Sequence, residues 1–299
     1  MAIVVAVISS FIYTGSIAIQ QVGNLRADRK QGPAVLRLLT TPMWVLGFLL
    51  GLVGFGLHFV ALGLGTLIEV QVAQTSQIVF MLPFSAWTAK AALERHELLG
   101  TALVALGLVG SIVFGQVRDG VDQPDNGAWV ISIIITAAIV VALVLAARAA
   151  HGFAAALYGT AAGIVYGVMA ALMKDVTEIF SSDGLVAAFK DWQVYVLIVS
   201  GLGAVTLQQL ALRAGHLSAG LSALSVGTPV MSTILGITIF EETFTTNGVE
   251  WLVYGIGVAL AIAGVFVLAR SPAIAAATVS AEADDVQSPL NPAGPPTRI

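Results

Sequence analysis

The chain has 299 residues, of which 58% are hydrophobic and 10% charged, with a formal net charge of −4. Soluble domains carry about 25% charged residues, so these totals exclude a soluble globular domain, and repeated apolar runs of about 20 residues point to a multi-pass membrane protein. The absence of cysteine excludes disulfides, thiolate metal sites and a Cys nucleophile.

Nine spans are expected, at about 2–21, 43–63, 66–89, 97–116, 127–147, 153–174, 192–212, 217–240 and 250–270. In lipid every backbone group must be satisfied within the segment, so the spans are helices. The first has no basic residue ahead of it, and the first charges follow it at Arg26, Arg29 and Lys30. A cleaved signal peptide normally opens on positive charge, so a retained span with its N-terminus outside is expected.

That orientation places Arg26, Arg29, Lys30, Arg37, Lys90, Arg95, Arg148, Arg213, Arg270 and Arg298 on one side of the membrane. Only Arg118, Lys174 and Lys190 fall on the other. The basic-rich side is cytoplasmic by the positive-inside rule. Most acids fall on the opposite side, giving a net −8 outside and +4 inside. An acidic vestibule raises local cation concentration; the alternative is that these acids are ordinary hydrated loop residues. Residues 25–41 read as a basic cytoplasmic segment, and residues 175–191 as an interfacial one. Lys174 reads as an interfacial anchor. The stretch 271–299, rich in Ala, Ser, Pro and acids, reads as a disordered cytoplasmic tail.

The third span carries the densest chemistry. Glu69, Gln71, Gln74, Thr75, Ser76 and Gln77 interrupt an apolar run, and a carboxylate at the bilayer centre costs about 2.5–3.5 kcal/mol on insertion scales. Such groups are tolerable facing protein or water, so the segment is expected to line a polar path. Glu69 and His58 flank a short turn, and a carboxylate with an imidazole there is a candidate proton or cation site, with Glu69 the candidate metal ligand. The alternative is that Glu69 snorkels and His58 bonds a backbone carbonyl. On the eighth span Ser218, Ser222 and Ser225 form one stripe toward Pro229, suited either to a solute or to helix packing. Tyr13 and Tyr166 hold matching places. The expected path is Glu69, His58, Gln71, Gln74 and Gln77 in the first half, with Gln208, Gln209, Ser222, Ser225 and Tyr166 in the second.

The two halves resemble each other. Residues 58–67, HFVALGLGTL, align with 208–217, QQLALRAGHL, and Ala73 then matches Ala223. Ile12-Tyr13 matches Val165-Tyr166, and Gly110 matches Gly264. Four spans per repeat and one lone span between them make the second repeat enter from the opposite side, the inverted plan of many secondary transporters. The expected units are 1–116 as first repeat, 117–152 as connecting loop and linker helix, 153–270 as second repeat and 271–299 as tail. The expected fold is all-α and polytopic.

The segments at 61–87 (ALGLGTLIEVQVAQTSQIVFMLPFSAW), 93–110, 211–244 and 253–269 resemble the drug/metabolite transporter superfamily. In that family each half ends with a helix, a Pro-containing or small-residue stretch, an acid and a Gly-rich helix. Glu94 or Glu97 takes the acidic place in the first half, and Glu241 or Glu242 in the second. Each repeat lacks the family's second helix, with the segments 25–41 and 175–191 in its place, so the chain resembles the nine-span branch of the NIPA-type magnesium transporters. The resemblance implies a transporter of a small solute or a divalent cation in the plasma membrane. A non-transporting scaffold or sensor is the rival class. No P-loop is present, no cofactor, enzymatic activity or nucleic-acid partner is expected, and the expected partners are the lipid bilayer, the transported solute and a further copy of the chain.

Overall fold

A computed structural model describes residues 1–27, 37, 39–89, 95–115, 117–121, 123–149, 151–184, 186, 189–214, 217–244 and 248–268. The expected tail, Glu94, Asp122 and most of the segment 25–41 lie outside the described residues. The structure is helical, in order α1 (Ala2–Ala27), α2 (Pro42–Leu62), α3 (Leu67–Gln74), α4 (Ser76–Ala89), α5 (Arg95–Phe114), α6 (Asn126–Ala149), α7 (Ala154–Asp183), α8 (Trp192–Arg213), α9 (Leu217–Thr238) and α10 (Val249–Leu268). Two short strands, β1 (Val117–Arg118) and β2 (Thr243–Phe244), pair antiparallel with Val117 opposite Phe244.

Five helices are long and apolar enough to cross a membrane: α1, α2, α6, α7 and α8. Helices α9 and α10 hold shorter apolar stretches, 222–238 and 252–267. The expected third span is two helices rather than one, because the chain tightens at Thr75. The Thr75 N–H and hydroxyl both donate to the Val72 carbonyl, at 3.2 and 2.6 Å, a short-range pattern that interrupts the i→i−4 ladder. Pro83 inside α4 removes a further donor. Large apolar side chains on α2, α6 and α8, among them Leu52, Ile131, Ile134, Val199 and Leu202, are exposed. On helices of this length such faces suit hydrocarbon rather than water.

The helices pack in a repeated pattern. Helix α1 runs antiparallel to α2, with Tyr13 on Gly54 and Trp44 on Gly23. It runs parallel to α3 and α4, with Ser10 beside Gln74 and Phe11 edge-on to Phe80. Helix α7 is likewise antiparallel to α8, with Tyr166 meeting Gln208 and Met169 facing Gly201, and parallel to α9, where Gly163 meets Gly227 and Gly167 meets Met231. Helices α5 and α10 cross antiparallel. A Cβ on Gly257 would stand 2.8 Å from the Gly107 carbonyl oxygen, and one on Gly264 would stand 2.6 Å from that of Gly100. Only glycine permits so close a backbone approach.

A buried core of Ala2, Ala6, Leu62, Leu67, Trp129, Leu172, Leu235 and Phe240 joins six of the helices near the turn between α2 and α3. Helix α7 runs on to Asp183, and Asp175, Val176 and Thr177 are buried. The start of the expected interfacial segment 175–191 is therefore interior helix, and exposure begins at Phe180. Thr177 Oγ1 satisfies itself on the Met173 carbonyl, 2.7 Å away, which is how a polar residue is tolerated there.

Candidate functional site

A deeply buried ion pair lies at this end of the bundle. Lys174 of α7 is 4% exposed and Glu242, just beyond α9, is 1% exposed. The Lys174 Nζ donates to Glu242 Oε1 and to the Gly65 carbonyl, both at 3.1 Å, and lies 3.7 Å from Asp119. It also stands 5.3 Å from the centre of the Phe240 ring, within cation–π range. Lys174 is thus not the interfacial anchor its place after an apolar run suggests. Its charge is held by an acid 68 residues away, a partner that local pattern does not reveal.

Glu242 has a second task. Its carboxylate accepts the backbone N–H groups of Leu67 at 2.5 Å and Ile68 at 3.0 Å. These are the free donors of the first turn of α3, where the positive end of the helix dipole favours a carboxylate. Thr66 Oγ1 accepts the next N–H, that of Glu69, at 3.1 Å. Two local features aim Glu242 inward. Glu241 takes a left-handed φ of 55°, at a cost of order 1–3 kcal/mol for a non-glycine residue. Gly236 leaves room where a Cβ would lie 2.6 Å from Glu242 Oε2. A segment of the second half thereby caps the broken helix of the first.

Two polar pairs join neighbouring helices. Gln74 Nε2 meets His58 Nδ1 at 2.5 Å, and Gln74 Oε1 accepts the Ser10 hydroxyl. These three residues join α1, α2 and α3. In the second half Tyr166 donates to Gln208 Oε1 at 2.7 Å, joining α7 and α8, and Tyr13 is within electrostatic reach of Tyr166. His58 and Gln208 are the positions matched by the sequence repeat, so each half uses the corresponding residue for an interhelical bond.

A cleft of about 280 Å³ opens between α3, α5, α9 and α10. Val72 and Thr75 at the helix break form one wall, and Val104, Leu108 and Ser111 another. Ser225, Pro229 and Thr233 of α9 face Tyr254 and Val258 of α10. A small hollow shares Val72, Ser111 and Tyr254 with the cleft and reaches Glu69. There Glu69 accepts a hydrogen bond from the Val117 backbone and sits within reach of the Asp119 and Glu242 charges.

The expected path residues divide accordingly. Ser225 lines the cleft, Glu69 lines the hollow, and Gln74 with His58 and Tyr166 with Gln208 form the two pairs. Gln71 and Ser222 are buried, Gln77 is half-buried and Gln209 is exposed; none of these four lines the cleft. Among the described residues no hydrogen bond or ion pair joins Glu69 to His58. Five residues separate Glu69 from Gln74, which turns them about 140° apart around the helix, so His58, by pairing with Gln74, faces away from Glu69. Among the described residues no three His, Cys, Asp or Glu side chains gather as a metal site. The side chain of Ser218 lies outside the described residues.

No family model matches the chain, and no solved structure matches it. A protein of Corynebacterium glutamicum, described only as uncharacterized, is 28% identical over 250 residues, covering 83% of this chain and 85% of its own length. The likeness is longer than either half alone and so extends across both.

Proposed function

We propose that the protein is a secondary transporter or facilitator that moves a small solute across the plasma membrane by alternating access between two inverted halves. The observation that carries this reading is the cleft: α3 and α5 of the first half and α9 and α10 of the second share its walls. Ligand sites between repeats and beside discontinuous helices are the recurrent plan of such carriers. The break at Thr75 supplies the discontinuous helix. The parallel pairing of α1 with α3 and α4, repeated by α7 with α9, supports two equivalent units. The antiparallel crossing of α5 and α10, the last helix of each unit, supports their opposite sense.

On this reading the Lys174–Glu242 pair is the closed gate at the outer face. Separating it frees the N–H groups at the start of α3 and lets the two halves part. The N-terminus then lies outside and the C-terminus in the cytoplasm, an orientation the distribution of Lys and Arg supports. The resemblance to the drug/metabolite transporter superfamily fits this plan.

A divalent cation such as magnesium is the second reading. Glu69 and Asp119, which lie within reach of each other near the hollow, favour it. The walls of the cleft are mostly aliphatic, with hydroxyls from Thr75, Ser111, Ser225, Thr233 and Tyr254, and this ranks an organic solute first. A flux screen of metabolites and ions in proteoliposomes tests both. Saturable flux of an organic solute supports the first reading, flux of magnesium alone supports the second, and no flux of either class leaves the scaffold reading.

A further inference from the structure

Asp175 follows Lys174 on α7, but one residue turns it about 100° around the helix, away from Glu242. It is 1% exposed and packs against Gln193 in the first turn of α8, 8% exposed, and Trp129 in the first turn of α6, fully buried. Three polar atoms of this cluster are buried without a well-formed hydrogen bond, Asp175 Oδ2, Gln193 Oε1 and Trp129 Nε1, although the Gln193 amide and the Trp129 indole N–H both lie near enough to Asp175 to donate to it. Buried polar atoms are rarely left so, and each one calls for an explanation.

The surroundings offer no counter-charge. On α7 the neighbouring charges are Lys174, engaged with Glu242, and Glu178. Ahead of α8 stands Asp191, a second acid. Ahead of α6, Asp125 accepts the Gly127 and Ala128 N–H groups, and Asn126 accepts the Trp192 indole N–H. Among the described residues Asp175 makes no ion pair. A desolvated carboxylate with two acids nearby and only neutral donors beside it is strongly disfavoured. A bound water leaves the charge in place. A metal ion meets the Trp129 N–H, which repels it. A proton removes the charge and converts one carboxylate oxygen into a donor, which is what the unpartnered Gln193 oxygen lacks.

We infer that Asp175, Gln193 and Trp129 form a proton-binding site where α6 joins α7 and α8. The proton is taken from hydronium, forming one O–H bond on the Asp175 carboxyl and leaving water, and it returns to water when that bond breaks; no oxidation or group transfer is involved. As a role, this deepens the transport reading and rests on it: the site couples a proton gradient to the motion of α7 against α8. The proton site itself does not depend on that reading.

Infrared spectroscopy of the purified full chain tests the site without any substrate. Wild-type protein at mildly acidic pH is expected to show a protonated-carboxyl band that shifts in D₂O and persists in Glu178→Gln. Asp175→Asn, which keeps the side-chain shape and supplies its own N–H donors, is expected to remove it. Gln193→Leu, which retains Asp175 and deletes its partner, is expected to shift it. Identical spectra for wild type and Asp175→Asn overturn the proposal, as does a band abolished by sodium at constant pH, which marks a metal-ion site. In proteoliposomes, Asp175→Asn is expected to abolish stimulation of solute flux by a pH gradient while solute exchange continues. A band present with flux indifferent to Asp175→Asn overturns the coupling role. A band present with no flux of any solute overturns the transport reading and leaves the proton site standing.

Discussion

Lys174 and Glu242 meet at 3.1 Å with both side chains shut away from the surface, and the same carboxylate caps the start of α3. One acid thus joins three elements: α7, the segment after α9, and the broken helix of the first half. Removing one member of a buried pair strands the other charge, at about 3–5 kcal/mol. Glu242→Gln should therefore lower the midpoint of thermal unfolding in detergent markedly. Lys174→Met with Glu242→Gln should recover part of the loss, since the double change leaves no charge behind. Equal midpoints for wild type and Glu242→Gln would show that the pair contributes nothing.

The α5–α10 crossing rests on glycine backbones in contact. Gly257→Val places carbon where the Gly107 carbonyl and the Ser111 hydroxyl lie. Overpacking of this kind costs about 1–3 kcal/mol. The expected outcome is a lower unfolding midpoint, while Gly255→Val, at an open position on the same helix, leaves it nearly unchanged. The comparison separates loss of helix approach from loss of backbone freedom, because both variants share the latter.

Val230 stands at the cleft and Ile134 on the exposed face of α6. Val230→Trp should fill the cleft and reduce solute flux at least tenfold with the unfolding midpoint retained. Ile134→Trp adds the same bulk toward lipid and should leave flux within twofold. Flux that survives Val230→Trp intact would remove the cleft from the path.

The cysteine-free chain makes topology directly readable. A cysteine at Ser181, exposed near the end of α7, should react with an impermeant thiol reagent from outside intact cells. One at Ser271 should react only after the membrane is opened. The reverse pattern would invert the proposed orientation.

Much of the helical layout was legible because apolar runs separated by charges are a strong signal in a membrane chain. The break at Thr75 was foreshadowed by four consecutive polar residues, Gln74 to Gln77, set within an apolar stretch. What failed was inference from the ends of runs. Lys174 and Asp175 close an apolar stretch, so they read as surface residues. The helix instead continues to Asp183 and buries both, because their partners, Glu242 and the Gln193–Trp129 pair, arrive from distant parts of the chain. Whether Glu69 meets His58 was not legible for a different reason. Short turns bring helices together but do not fix which faces meet, and Gln74 occupies the face turned to His58.

Accessibility of the cleft to water tests the central claim most directly, because it needs no known substrate. In proteoliposomes a cysteine at Ser225 should react with an impermeant thiol reagent only from the side opposite the Lys174–Glu242 pair, and from both sides once Glu242→Gln is added. A Ser225 cysteine that reacts from neither side in either background would mean that the cleft faces lipid rather than a transport path.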